Sequence, residues 1–364
     1  MKEKKSPLQT NVIQNGIVLP CKKNYKKNGW GEGGVVDSGF SFIEVSGLYS
    51  KWSSFGGAYD FSKNKMEKID DDVIWFGFFY KHWGHFLLDF ISRMWILLDD
   101  YRGQKIVYVS HGDVIDGNYM EFFNLLGIEN DKLIRIDKVT QCKSVIVPEY
   151  AKKENEYHSY YLRLMNAVSK AAVNTSSEPL TPGLKVYFSR MAFKDAAKKE
   201  FGEEYIENLM LSAGYSVMYP EKMTLKQQVS IWNSADEIIC INGTIPLNLI
   251  FAMSHMQNVF ILNKAKIHHQ NLIDIIDIRA LKNIKFIDCF YEKFSSKAQN
   301  LGRGPFFLRV SDELVSNMGV SNYNQNNFYY KINAHLFLYK FIIVNKTITA
   351  IKSFVKKIIN VHRT

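Results

Sequence analysis

Short runs of apolar, β-branched and aromatic residues recur along this chain, and most are followed by a stretch whose apolar positions repeat at helical spacing. In the first half the strand-like runs are Val73–Phe78, Lys105–Ser110, Lys132–Ile136 and Ser144–Pro148. Helical periodicity covers Tyr119–Leu126, stopped by Gly127, and Tyr157–Val173. In the second half Lys185–Ser189, Tyr215–Pro220, Glu237–Ile241, Asn258–Leu262 and Lys285–Phe290 read as strands, and Glu203–Ala213, Leu225–Ser234 and Pro246–Met253 as helices. Alternation at this spacing predicts βαβ units and a parallel sheet. Asn174–Gly183, rich in Pro, Ser and Thr, reads as a linker. The expected fold class is therefore α/β: two Rossmann-like halves, residues 1–175 and 183–304, facing a cleft, with a helical extension over 305–364. Residues 1–70 carry the weakest pattern. Glycines 29, 31, 33 and 34 surround Trp30, and short antiparallel strands such as Gly39–Val45 are expected there.

One segment breaks its own pattern. Trp75–Trp95 is mostly aromatic or aliphatic, yet it holds His82, His85, Asp89 and Arg93. On a helix starting near Trp83, His85, Asp89 and Arg93 are spaced four apart and share one face. A polar stripe on a buried helix is costly unless it is paired or lines a cleft. A buried His85–Asp89 hydrogen bond that fixes the helix and a general base on a cleft wall both satisfy that requirement. Metal ligation by His82, His85 and Asp89 is a third reading, with no fourth ligand evident.

Composition narrows the class. A chain of 364 residues with 46% hydrophobic and 23% charged residues is globular and long enough for about two domains. The four cysteines show no CxxC spacing, which fits a reducing compartment. No leader-like apolar run opens the chain and no spanning helix is expected. The net charge of +10 is uneven: after Glu313 there is no acidic residue but seven Lys or Arg. The remainder is nearly balanced, which excludes a protein-wide nucleic-acid footprint. Within the tail, Ile348, Ile351, Phe354, Val355, Ile358 and Ile359 can form an apolar face opposed by Lys352, Lys356 and Arg363. A basic amphipathic helix suits an anionic membrane surface, or it packs back on the first half.

Open α/β sheets bind ligands beyond the C-terminal ends of their strands. Arg190 follows the strand Lys185–Ser189, where a guanidinium can grip a phosphate bidentately. Asn242, Gly243 and Thr244 follow Glu237–Ile241 and open a helix, whose free N–H groups favour an anion, although a turn and cap would read the same way. Glu221 stands just past Pro220. The histidines His268 and His269 read as a solvated loop pair.

The order Val186-Tyr-Phe-Ser-Arg190, Glu203, Gly214, Pro220–Gln228, Ala235-Asp236, Gly243 and Pro246-Leu-Asn248, with His85-Phe-Leu-Leu-Asp89 upstream, resembles glycosyltransferase family 61 over roughly residues 73–265. The resemblance implies a two-domain GT-B fold, a nucleotide-sugar donor and inversion at the anomeric carbon without a metal or other cofactor. It further implies a glycan or lipid-linked glycan acceptor in capsule or lipopolysaccharide assembly, hence a cytoplasmic protein, peripheral to the plasma membrane if the tail binds it. On the resemblance Arg190 and the Asn242-Gly243-Thr244 turn hold the diphosphate, Glu221 and Gln228 lie on the donor side, and Asp89, or His85 oriented by Asp89, is the base. Two positions depart from the family pattern. Asn242 stands where His is usual, and Lys199 and Gly202 stand where Arg and Asn are expected, with Glu203 kept. These departures leave open a non-catalytic nucleotide- or glycan-binding scaffold of the same fold.

Overall fold

Two sheets organise the chain. The computed structural model describes all residues except 24–28, 51–53, 155, 176–182, 254–256, 296–297, 299, 322, 324–326 and 362–364, so most of the expected linker lies outside the described residues. The first sheet contains β1 (Thr10–Gln14), β2 (Ile17–Lys22), β3 (Glu32–Val36), β4 (Glu67–Phe78), β5 (Lys105–Val109), β6 (Leu133–Arg135) and β7 (Thr140–Pro148). Its order is β3-β2-β7-β4-β5-β6, with β1 also on β7. The strands β7, β4, β5 and β6 are parallel, as expected. The N-terminal strands are not: β1 and β2 run antiparallel along β7, broken at Asn15-Gly16, and β3 folds back on β2. The sheet is mixed because antiparallel neighbours need only short connections, and no crossover helix precedes β4.

Gly39–Val45 is not a strand. Asp37 Oδ1 accepts the N–H groups of Gly39 and Ser41 at 2.9 and 2.8 Å, closing a turn through Phe40 at φ 69°. Only the bridge Val36–Phe42 and the 3-10 turn Glu44–Ser46 follow. The expected long helix after Trp83 is also shorter. Helix α1 (Trp83–Leu88) stops at Asp89, a 3-10 turn covers Phe90–Arg93, and a single turn covers Ile96–Asp99. The break has a cause in the bonds beyond it. Ser92 Oγ donates to Lys152 O at 3.0 Å, and fully buried Arg93 donates to Pro148 O and Gly47 O at 3.0 Å each. Those backbone acceptors, Pro148 and Lys152 at and after the end of β7 and Gly47 after the Glu44–Ser46 turn, hold the chain away from a continuous helix. Arg93 therefore leaves the face of His85 and Asp89. Helices α2 (Gly117–Leu125) and α3 (Ser159–Asn174) follow.

The second sheet is parallel throughout: β8 (Lys185–Phe188), β9 (Ser216–Met218), β10 (Glu237–Ile241), β11 (Asn258–Asn263) and β12 (Ile284–Asp288). Its order β9-β8-β10-β11-β12 is a doubly wound arrangement whose chain direction reverses between β8 and β10. Helices α4 (Glu203–Ser212) and α5 (Leu225–Ser234) sit where expected, and α6 (Gln270–Ile278) is additional. The start of α5 is set by a capping box, Thr224 with Gln227. Pro246–Met253 is a 3-10 segment, Ile245–Phe251, buried from Pro246 onward.

One apolar core runs through both sheets. Phe86 and Phe122 from the first half join Val229, Trp232 and Phe251 from the second, and Ser169 Oγ donates to Phe251 O at 2.8 Å. The two halves are therefore packed on each other through this core. At the C-terminus the expected helical extension holds one long helix, α7 (Asn327–Val361). Its first turns pack on the second half rather than the first: Tyr330 and Ala334 lie against Phe307 and Phe201, and Tyr330 OH donates to Leu308 O at 2.6 Å. The side chains of the expected apolar face from Ile348 onward lie outside the described residues. Among those described, no helix is long and apolar enough to cross a membrane. All four cysteines are free thiols.

Candidate active site

Where the second sheet reverses direction, two strand ends bring cations together. Arg190 leaves β8, and its N–H and side chain are held by two carboxylates: the backbone N donates to Glu203 Oε1 at 2.7 Å and Nε to Glu200 Oε2 at 2.9 Å. Lys264 leaves β11 and donates to the other oxygen of Glu200 at 2.5 Å. The Lys264 side chain is 1% exposed and that of Arg190 13%. A Cβ placed on Gly243 would stand 3.6 Å from Arg190 Nη1 and 3.7 Å from Lys264 Nζ. Glycine thus leaves open the space beside both cations. Two cations face Glu200 and Glu203, so the cluster carries an excess of positive charge while Glu203 is protonated, the condition for holding an anion.

Burial and pairing divide the titrations of this cluster. Burial pushes Glu200 up, but Lys264 and Arg190 outweigh it and keep its carboxyl below the usual range. Burial also lowers Lys264, to about 8, with Glu200 pulling the other way. Glu203, buried beside Glu200, rises to about 7; it accepts from Tyr187 OH at 3.0 Å. The carboxylate of Glu207 accepts from Ser189 Oγ and Tyr219 OH, completing the support of the loop that carries Arg190.

The Asn242-Gly243-Thr244 turn is built differently from the expectation. Asn242 Nδ2 donates to Asn263 Oδ1 at 2.9 Å, and its Oδ1 accepts from His269 Nδ1 at 3.1 Å. The histidine missing from position 242 is thus matched by one arriving from the start of α6. His269 is not a solvated loop residue; burial and Lys264 lower its imidazole to about 4. Thr244 opens a 3-10 segment, without a side-chain cap bond, so the helix dipole expected there is weak and the side-chain cations carry the charge. Glu221 is exposed in the Pro220–Lys222 turn, and its charge reaches Arg190. Gln228 is buried and internally bonded: it donates to Pro220 O at 2.9 Å and accepts from Asn248 at 3.2 Å.

The facing wall comes from the first half. Its four parallel strands also reverse direction, between β4 and β7, and the chain leaving β4 carries Tyr80, His82, His85 and Asp89. His85 Nδ1 donates to Asp89 Oδ2 at 2.8 Å. A carboxylate only accepts, so Nδ1 carries the proton and Nε2 presents a lone pair. The walls touch at their base: Trp83 Nε1 donates to Asn248 Oδ1 at 2.7 Å, and a Cβ on Gly84 would lie 3.4 Å from Leu247. Above that contact, His82 is solvent-accessible yet surrounded by protein; this crowding and the charges of His85, Lys199 and Arg190 lower it to about 4. His82 therefore lies within electrostatic reach of both His85 and Arg190. His82, His85 and Asp89 do not gather into a metal-binding group, and among the described residues no cluster of three or more His, Cys, Asp or Glu could hold a metal.

Sequence reasoning missed Glu200 and Lys264. The strand-end rule that selected Arg190 selects Lys264 once β11 extends to Asn263; Glu200 carries no such signal. Gly202 has a structural reason. It sits at φ 94°, and a Cβ there would overlap Leu308 O, so the residue expected to be Asn is displaced by the close approach of the Phe306–Leu308 segment.

No curated protein matches the chain. Residues 83–259, which carry His85, Asp89, Arg190, Glu203 and the Asn242-Gly243-Thr244 turn, match the family model described as Glycosyltransferase 61. Over that span the chain resembles glycosyltransferase family 61, which supports its being a glycosyltransferase that takes a donor and an acceptor substrate.

Proposed function

We propose that the chain moves a hexosyl or pentosyl unit from a nucleotide-sugar donor to a glycan of the cell surface, with inversion and without a metal, across a GT-B-type cleft. The observation that supports this reading is the pair of cations, half-buried Arg190 and buried Lys264, that converge beside Gly243, with the charge of Arg190 reaching His82 next to the His85–Asp89 pair. The donor diphosphate takes that space. Its oxygens accept from Arg190 Nη1 and Lys264 Nζ, and the exposed Glu221 accepts from the ribose. Gln228 acts indirectly, by holding Asn248 and through it Trp83.

The acceptor hydroxyl lies by His85. Its proton passes to Nε2 while Asp89 keeps Nδ1–H in place. The acceptor oxygen bonds to the anomeric carbon as the bond from that carbon to the diphosphate oxygen breaks. The electron pair leaves with the diphosphate, whose added charge Arg190 and Lys264 stabilise. Attack opposite the leaving group inverts the centre. The acceptor class, a capsule or lipopolysaccharide intermediate carried on lipid, is supported by the acid-free basic tail, which suits the cytoplasmic face of an anionic membrane. Incubation with a panel of nucleotide sugars and lipid-linked acceptors, with and without a chelator, tests the reading. Release of nucleoside diphosphate that depends on acceptor and survives the chelator is expected. Absence of both release and nucleotide binding across the panel would sink it.

A further inference from the structure

Beside the His85–Asp89 pair lies a set of aromatic rings that proton transfer does not use. Phe55 and Phe78, both buried, stack at 5.0 Å, and Phe78 stacks in turn on Trp30 at 5.0 Å. Trp30 meets His85 edge-on at 4.9 Å and Tyr80 at 5.4 Å. Tyr80 lies 5.6 Å from His85 and nearly parallel to His82, at 6.1 Å and 6°. The inner rings are anchored in the core, whereas Tyr80 is 42% exposed. A ring braced by other rings with part of its surface in water is ready-made for a flat, half-apolar ligand.

We propose that Tyr80, backed by Trp30 and His82, is the saccharide subsite of the acceptor. The apolar C–H face of a pyranose stacks on the phenol ring, and the sugar hydroxyls at its edge meet the imidazoles of His82 and His85. The weak C–H donors of a sugar face match the electron-rich face of an aromatic ring. The placement next to His85 puts an acceptor hydroxyl within the reach of the base. The donor's flat group has its own exposed ring: Phe193, 43% exposed, lies 5.7 Å from the Arg190 guanidinium on the opposite wall. Tyr80 is therefore left to the acceptor. The inference rests on the transfer reading, and its test does not require turnover.

Saturation-transfer NMR with methyl glycosides of glucose, galactose, N-acetylglucosamine and rhamnose measures contact directly. The intact chain should transfer saturation to the C–H protons of at least one glycoside. Tyr80→Ala should reduce that signal by about fivefold or more, and Tyr80→Phe should keep it. Thermal shifts with nucleoside diphosphates should be equal in all three proteins. The proposal is overturned if no glycoside is saturated, if Tyr80→Ala leaves the signal unchanged, or if it weakens nucleotide binding instead, which would give the ring to the nucleobase. Glycoside contact without any nucleotide binding would sink the transfer reading and leave the subsite standing.

Discussion

Gly243 separates the proposed phosphate site from an ordinary turn. Its backbone does not require glycine, and an added Cβ would meet Arg190 and Lys264 at ordinary contact distance. Gly243→Ala should therefore keep the melting temperature within about 2 °C. It should weaken nucleotide-sugar binding about tenfold or more, because the methyl occupies the space beside the cations. Calorimetric titration checks this, and unchanged affinity would show that nothing binds there. The same cluster fixes a pH dependence. Glu203 is raised by burial to about 7 and Lys264 lowered by burial to about 8, so between pH 6 and 9 the site gains a negative charge and loses a positive one. Affinity for a nucleotide sugar, whose diphosphate has no group titrating in that window, should fall as pH rises, with proton uptake on binding; a flat profile would contradict it. The linked stability terms have opposite signs. Glu203 holds more protons folded than unfolded between 4.5 and about 7, so its contribution falls with rising pH there. Lys264 holds fewer between about 8 and 10.5, so its contribution rises.

At the scale of elements, what could be read from sequence depended on how each element is buried. The inner strands of the second sheet, β8, β10 and β11, are mostly buried and read as apolar runs, and β10 and α5 match their expected limits. The N-terminal strands gave little, because an edge strand is settled by the neighbour it pairs with. The break of α1 at Asp89 was hidden for a related reason: it depends on Ser92 and Arg93 bonding to backbone more than fifty residues away. In the site, His85–Asp89 and Arg190 were visible as local polar exceptions, whereas Glu200 is meaningful only through its partners. Gly202 illustrates the same distance effect. Gly202→Ala should destabilise the chain by about 2 kcal/mol or more, since it strains a positive φ and forces Leu308 away. An unchanged melting temperature would contradict that.

Across the whole molecule, the two sheets share one core, and Trp83–Asn248 ties the segment after β4 to the second half. The tail adds a second surface. Beyond the packed turn at Tyr330, helix α7 exposes Ile332, Leu336, Tyr339 and Ile343, and the chain after Glu313 carries seven Lys or Arg and no acid. Vesicles containing phosphatidylglycerol should co-sediment with the full chain at low salt and lose it at about 0.5 M salt. A chain ending at Val344 keeps the packed turns and should bind much less. Equal binding by both would remove the tail from the membrane.

Asp89→Asn bears most directly on glycosyl transfer. The amide can still accept from His85 Nδ1, but it removes the charge that supports the imidazolium formed when the acceptor hydroxyl gives up its proton. Transfer and nucleotide-sugar affinity should be measured together on that variant, with its melting temperature. A fall in kcat of about a hundredfold or more, with donor affinity and melting temperature unchanged, is expected. Full activity, or loss of activity together with folding and donor binding, would show that the His85–Asp89 pair serves structure alone.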